Sequence, residues 1–301
     1  REDEIKSLLY QLSRGATITC LRGLGGIGKT ALAQFISNQL KDHFPDGQIY
    51  LNLLGMSKNA LKPEEAMAHI IRSYLGIEAK LPADQNGLGG LYRSVLSGKK
   101  ALILLDNAAC REQVEPLLPP PKDCIALITT RKKFSLPGMP EPFLLESMKP
   151  SDARELLLKI CPRIGDHAEE IAGLCGYLPL ALRAASSLLA VKSDLNPSDY
   201  LKELRSERTR LEKIGKEGVD TDVEASLNLS YIRLPAETAS VFRQLSVFPS
   251  DFDAQAEEFV CQDEDHRNLS ELITWSLVEF LESGRYRLHD LVHVFCLHAP
   301  K

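Results

Sequence analysis

The chain has 301 residues, of which 44% are hydrophobic and 26% charged, and these values are ordinary for a globular protein of two or three domains. A net charge of -5 argues against the basic surface of a typical nucleic-acid-binding protein. The seven cysteines show no C-x-x-C spacing, and no apolar run approaches the roughly 20 residues that span a bilayer. We therefore expect buried, reduced thiols and a cytoplasmic protein without membrane contact.

Up to about residue 147, short apolar runs alternate with helical patterns. Continuous apolar runs separated by helices are what a parallel sheet buried on both faces requires. Helices are predicted from 29 to about 40 and around 63–75. Strands are predicted at 17–21, 48–52, 101–105 and 124–129, with a short fifth at 143–145.

From Pro150 onward the strand-like runs stop and helical periodicity takes over, beginning with the helix-start residues Ser151 and Asp152. A polar, charged stretch at 202–222 is interpreted as a linker or an exposed helix. The last compact segment, about 223–299, ends in a predicted hairpin whose arms are 278–281 and 285–288, joined by a turn at 282–284. Helices followed by a small hairpin suggest a winged helix.

The strongest signal is the run Gly23-Leu24-Gly25-Gly26-Ile27-Gly28-Lys29-Thr30, which fits G-x-x-x-x-G-K-[ST]. Its glycines allow backbone N–H groups to surround phosphate oxygens, and the following helix adds the positive end of its dipole. Lys29 is predicted to reach the β- and γ-phosphates, and the Thr30 hydroxyl to hold Mg²⁺. Because an apolar strand precedes the run and a helical pattern follows it, a chance glycine-rich turn is the weaker interpretation.

A P-loop needs a second strand that ends in a carboxylate. Asp106 follows the run 102–105 and is predicted to hold the metal together with Thr30; alone it would be read as a polar residue ending a buried strand. The next residue, Asn107, is an amide that positions water but accepts no proton. Slow hydrolysis is therefore expected.

The fourth predicted strand ends at Thr129-Thr130-Arg131. An arginine at the carboxyl edge of a parallel sheet lies near the phosphates, where its planar fork of donors can detect a γ-phosphate. Without a P-loop upstream, the same arginine would be interpreted as a solvated strand end. Arg131 is accordingly a candidate catalytic residue, with Lys29 and Asp106.

In their order along the chain, these motifs resemble the NB-ARC family of signal-transduction P-loop ATPases, the STAND class. Arg1 and the residues after it are similar to the tail of the family's opening Gly-Arg-Glu motif, and the P-loop, Asp106 and 127–131 follow in order. Residues 176–182 resemble the GLPL motif, 230–249 resemble the start of the family's winged helix, and 288–290 read Leu-His-Asp where the family has Met-His-Asp.

The resemblance implies an α/β P-loop domain at 1–148, an all-α helical (ARC1-like) domain at 149–218 and a winged-helix (ARC2-like) domain at 219–301. It also implies ADP or ATP with Mg²⁺ as cofactors. By this resemblance, Arg1 lies on the adenine side, Pro179 packs against adenine or ribose, and His289 donates to the β-phosphate of ADP. The full set of implied nucleotide-binding residues is Arg1, Gly25, Gly26, Ile27, Gly28, Lys29, Thr30, Ala31, Pro179, Leu180 and His289.

The resemblance further implies a switch in which bound ADP favours a closed, inactive form. Exchange for ATP would then drive domain rearrangement and self-association, which activates a fused effector. Effector and sensor segments, with repeats as one form of sensor, are expected outside this chain.

Two other functions remain open from the sequence. One is a P-loop ATPase motor or remodelling enzyme, against which Asn107 counts. The other is a regulator that binds DNA through the winged helix, against which the many acidic residues of the last segment count, because phosphate neutralisation supplies most DNA affinity. Protein contact is the favoured role for that segment.

Overall fold

A computed structural model describes residues 1–13, 15–57, 59–120, 123–213, 219–281 and 283–299. By their contacts the residues divide into two compact units. The first contains residues 1–24 and 28–146, and the second contains 25–27 and 147–301. Each unit has its own buried core and is described by itself.

The first unit is built on a parallel sheet of five strands, as the apolar runs predict. In chain order the strands are β1 (Ile18–Gly23), β2 (Gly47–Asn52), β3 (Ala101–Ala108), β4 (Ile125–Thr130) and β5 (Phe143–Leu145). In space their order is β2-β3-β4-β1-β5. Strand β4 therefore separates β1 from β3, and β2 forms one edge of the sheet.

Helices pack against this sheet. They are α1 (Glu2–Ser13), α2 (Lys29–Gln39), α3 (Pro63–Leu75), α4 (Gln85–Leu96) and the single turn α5 (Arg111–Val114). All eight residues of β3 are buried, and four of them share one apolar cluster with α3 and α4: Ala101, Ile103, Leu105 and Ala108. The sequence patterns predict α2 and α3 closely, whereas α1 and α4 were not predicted.

The second unit is largely helical. Its helices are α6 (Pro150–Ile160), α7 (Ala168–Leu174), α8 (Pro179–Val191), α9 (Pro197–Lys213), α10 (Val219–Tyr231), α11 (Ala236–Gln244), α12 (Ala254–Cys261), α13 (Arg267–Thr274) and α14 (Asp290–His298). Of the two interpretations of 202–222, a linker is wrong for the described part and a helix is right, because α9 and α10 cover it, although Leu204 and Leu211 are buried. Residues 214–218, which carry the predicted boundary at 218, lie outside the described residues.

The predicted hairpin is present but shorter than its sequence pattern. Strands β6 (Glu279–Phe280) and β7 (Tyr286–Arg287) pair antiparallel, and Phe252 adds an antiparallel bridge to Tyr286. Glu282 in the predicted turn lies outside the described residues. Whether the helices before this hairpin and the hairpin itself form a winged helix stays a prediction.

The cysteines agree with the sequence-based expectation. All seven are free thiols, and only Cys110 is not buried. Burial raises the pKa of the Cys20 thiol and of the Cys175 thiol to about 12. Within the described part of the chain, no helix has the length and apolar character needed to cross a membrane.

Thiol reactivity tests this fold. Because the thiolate is the reactive form and burial also blocks access, we expect an aromatic disulfide reagent at pH 8 to react rapidly with one thiol per chain. The remaining thiols should react only after denaturation. Cys110→Ser should abolish the rapid phase, and several rapid thiols in the native protein would contradict the described core.

Candidate functional site

The glycine-rich turn connects β1 to α2. Gly26 and Gly28 adopt positive φ angles of 72° and 95°, a backbone region that favours glycine. Gly28 occupies the N-cap position of α2 and supplies no side-chain cap. The first-turn N–H groups of α2 are therefore of the kind that donate to an anion such as phosphate.

Lys29 and Thr30, the first two residues of α2, make the hydrogen bonds that define the candidate site. The Lys29 ammonium group donates to the backbone carbonyl of Leu24 at 2.8 Å. The Thr30 hydroxyl donates to both carboxylate oxygens of Asp106, at 2.8 Å to Oδ1 and 3.0 Å to Oδ2. The structure thus brings together the hydroxyl and the carboxylate that the sequence assigns to Mg²⁺.

The Asp106 carboxylate is only 4% exposed and accepts from further hydroxyl groups. Thr129 on β4 donates to Oδ1 at 2.5 Å, and Tyr50 on β2 donates to Oδ2 at 3.0 Å. A buried charge is tolerated only when such donors replace its lost water. Strands β2 and β4 and helix α2 therefore all supply donors to one carboxylate.

A β-bulge lies at this end of β3. Asp106 and Asn107 together face the single residue Thr129 of β4, because the strand register shifts between Leu105 and Ala108. Asn107 has a φ angle of 56°, in the left-handed region that asparagine tolerates better than most residues. Its backbone N–H donates to the Thr129 hydroxyl oxygen at 2.9 Å, so Thr129 links the two bulge residues.

The segment after β2 is bound tightly to this bulge. The Gly55 N–H donates to the Asn107 carbonyl at 2.7 Å. The buried amide of Gln113 donates to the carbonyls of Leu53 and Leu61 and accepts from the Ala109 N–H, each at 2.8 Å. These bonds fix the backbone on both sides of the Asp106 carboxylate.

The other predicted residues of the first unit lie at the expected elements. Arg131 directly follows Thr130, the last residue of β4, at the carboxyl edge of the sheet. Arg1 precedes α1 and its guanidinium donates to Glu4 at 2.9 Å. The role of Arg1 on the adenine side stays a prediction.

The remaining predicted residues belong to the second unit, which by its contacts includes residues 25–27. Pro179 is the first residue of α8, and the Leu180 N–H donates to the Gly26 carbonyl at 3.3 Å. His289 caps α14, since its Nδ1 accepts from the Leu291 N–H at 3.2 Å.

Sequence reasoning missed three contributors to the site. Tyr50 lies inside a predicted strand and carries no motif. Thr129 belongs to the strand-end run in which only Arg131 was predicted to have a role. Its contact with Asp106 depends on β4 being the neighbour of β3. Gln113 is a buried amide for which the sequence offers no signal.

The donor set fits a magnesium ion held with a nucleotide. Mg²⁺ prefers oxygen ligands and is commonly bound through one or two protein groups together with substrate phosphates and water. Thr30 and Asp106 supply such oxygens. Within the described ranges, no three His, Cys, Asp or Glu side chains cluster as an independent metal site.

The fold and these residues define a P-loop NTPase: a glycine-rich turn between strand and helix, a Lys-Thr pair, and a carboxylate on a second parallel strand. Residues 1–162 match the family described as the NB-ARC domain. The chain is also 34% identical, over 92% of its length, to the regulatory protein AfsR of Streptomyces griseus. The chain therefore belongs to the NB-ARC family, as its motifs indicate, and membership implies nucleotide binding.

More distant proteins are similar to this chain in sequence or in fold. A putative disease resistance protein of Solanum bulbocastanum is 23% identical over 97% of this chain, which spans 33% of that protein. A solved STAND protein with a tetratricopeptide repeat sensor, from Pyrococcus horikoshii, has a similar fold with a TM-score of 0.68 and 18% identity, covering 100% of this chain and 42% of that one. The chain spans only 29% of the length of AfsR.

The close packing at Gly55 gives a prediction. A Cβ added there would lie 2.3 Å from the Asn107 carbonyl oxygen and 2.4 Å from the Ala109 nitrogen, and both are backbone atoms that cannot rotate away. We expect Gly55→Ala to lower the free energy of unfolding by about 1–3 kcal/mol, measured by thermal or urea denaturation.

Gly90→Ala is the matched control, because Gly90 lies within α4 and an added Cβ meets nothing within 4 Å. There the alanine should raise stability by up to about 1 kcal/mol. Equal effects of the two substitutions would contradict the described contact between Gly55 and the bulge.

Proposed function

We propose that the chain is the ADP/ATP-dependent switch of a STAND signalling protein. The observation that carries the proposal is the hydrogen bond of 2.8 Å between Thr30 and Asp106 at the end of the glycine-rich turn. The relatives named above are regulatory and disease resistance proteins, which supports a signalling role. The tetratricopeptide repeat sensor of the Pyrococcus protein supports fused sensor segments outside this chain.

Three domains carry this function in the proposal. Residues 1–148 form the P-loop domain, 149–218 the helical domain and 219–301 the winged-helix domain. Helices α6 to α9 support the second assignment. Helices α11 to α13, followed by the β6–β7 hairpin, support the third.

In this proposal each binding group has a separate role. The N–H groups at the start of α2 donate to the phosphate oxygens, Lys29 donates to the terminal phosphates in place of its contact with Leu24, and Arg131 detects the γ-phosphate. Thr30 and Asp106 hold Mg²⁺, which when bound neutralises phosphate charge. Pro179 and Arg1 lie against the adenosine part.

Hydrolysis is slow in this proposal. Asp106 accepts hydroxyl donors and is committed to the metal. The adjacent Asn107 orients water without removing its proton. The chemistry therefore resets the switch and does not drive a motor.

His289 is the proposed sensor of the ADP form. Its Nδ1 accepts from the Leu291 N–H, so in the neutral ring the proton resides on Nε2, which is then the donor toward a β-phosphate. Bound ADP favours the closed, inactive arrangement, and ATP favours a rearranged form that self-associates and activates an effector. A ligand produces this change only through unequal affinity for the two forms.

The first test is the nucleotide content of the purified protein. We expect denaturation followed by chromatography to release close to one ADP per chain, because a switch at rest retains its ligand. A protein that lacks nucleotide and hydrolyses added ATP rapidly would refute the proposal and favour a motor.

The role of His289 gives a second test, with two substitutions that separate its contacts. His289→Ala removes both the helix cap and the imidazole donor, whereas His289→Ser keeps an acceptor for the first turn of α14. Both should accelerate ADP release about tenfold, the value of one hydrogen bond to a charged phosphate. Only His289→Ala should also lower the melting temperature.

His298→Ala is the control, since His298 is an exposed residue at the far end of α14. It should leave ADP release unchanged. Unchanged release in both His289 variants would remove this residue from the mechanism.

A further inference from the structure

Tyr50 connects the edge of the sheet to the candidate metal site. It lies on β2, where it pairs with Leu104 of β3, and β3 is the neighbour of β2 in the sheet. Because side chains two apart on a strand share a face, Tyr50 points to the same face as Asn52, the partner of Asp106. The ring is 39% exposed, while its hydroxyl donates to Oδ2 of the buried Asp106 carboxylate at 3.0 Å.

This bond completes the support of the Asp106 carboxylate. Oδ1 accepts from Thr129 at 2.5 Å and from Thr30 at 2.8 Å, and Oδ2 accepts from Tyr50 and Thr30, each at 3.0 Å. Thr30 reaches both oxygens from α2, but of the two strands beside β3, β4 holds only Oδ1, through Thr129. A donor on the other oxygen, from the opposite neighbouring strand, opposes rotation of the carboxylate about its Cβ–Cγ bond.

We propose that Tyr50 is a positioning residue for Mg²⁺ at the nucleotide site, acting through Asp106 and not through contact with the nucleotide. Mg²⁺ demands nearly ideal octahedral geometry, so a carboxylate that turns binds it less well. Hydrogen bonds to ligating carboxylates set their orientation and typically change metal affinity by about 10–100-fold. The inference rests on the proposed binding of a nucleotide with Mg²⁺.

A purely structural role for Tyr50 predicts a result different from that of a positioning role. If the hydroxyl only stabilised the sheet edge, its removal would lower stability and leave the dependence on Mg²⁺ unchanged. If it touched the nucleotide, its removal would weaken binding with and without the metal. The magnesium dependence of binding is therefore the quantity that separates a positioning role from both others.

The experiment compares Tyr50→Phe with the wild-type chain. Release of a fluorescent ADP analogue is followed with Mg²⁺ present and with the metal removed by chelation, and the ratio of the two rates measures how far Mg²⁺ retains the nucleotide. We expect Tyr50→Phe to reduce this ratio about three- to tenfold, less than the usual effect of such hydrogen bonds, because Tyr50 is 39% exposed and water can replace part of its contact. The rate without the metal should stay as in wild type.

Tyr92→Phe is the matched control. The Tyr92 hydroxyl is buried in the same unit and donates to the Leu117 carbonyl at 2.6 Å, without contact with Asp106. Its removal should lower the melting temperature and leave the magnesium ratio at the wild-type value.

An unchanged ratio in Tyr50→Phe, or faster release with the metal removed, would overturn the positioning role. Nucleotide binding by the wild-type chain would still stand in both cases. A wild-type chain that bound no nucleotide at all would overturn this inference together with the proposed function, so the two failures are distinguishable.

Discussion

The first unit depends on a single buried carboxylate. Asp106 is 4% exposed, and its charge is tolerated because hydroxyl groups from α2, β2 and β4 donate to it. Those three elements are far apart in the sequence, so the carboxylate fixes their mutual positions at the carboxyl edge of the sheet. The same groups that satisfy the charge also orient it toward the place where the glycine-rich turn ends.

The sequence predicts most strands of the sheet and fewer of the helices that pack against it. Buried parallel strands appear as unbroken apolar runs, which is why β3 and β4 are recognised directly. Helix α4 is missed because Gly87, Gly89 and Gly90 disfavour a helix in isolation. Burial of Leu88 and Tyr92 in the core supplies the stabilisation that local propensity lacks.

The residues of the candidate site also divide into those that the sequence predicts and those that it does not. Thr30 is predictable because it belongs to a motif with a fixed spacing. Asp106 is predictable because it follows an apolar strand. Tyr50 and Thr129 are not, since their contacts depend on β2 and β4 lying on either side of β3. Strand order arises from packing over the whole sheet, and no local pattern specifies it.

The left-handed backbone of Asn107 has a consequence for which side chains the position beside Asp106 can carry. This conformation, held by the Gly55 and Thr129 contacts, accepts asparagine and aspartate with little strain and penalises branched or bulky residues. A single substitution can therefore exchange an amide for a proton acceptor while the surrounding backbone keeps its shape. A carboxylate at this position would be a second charge beside Asp106 in a residue that is only 8% exposed, so without new hydrogen-bond donors the exchange would lower the stability of the first unit.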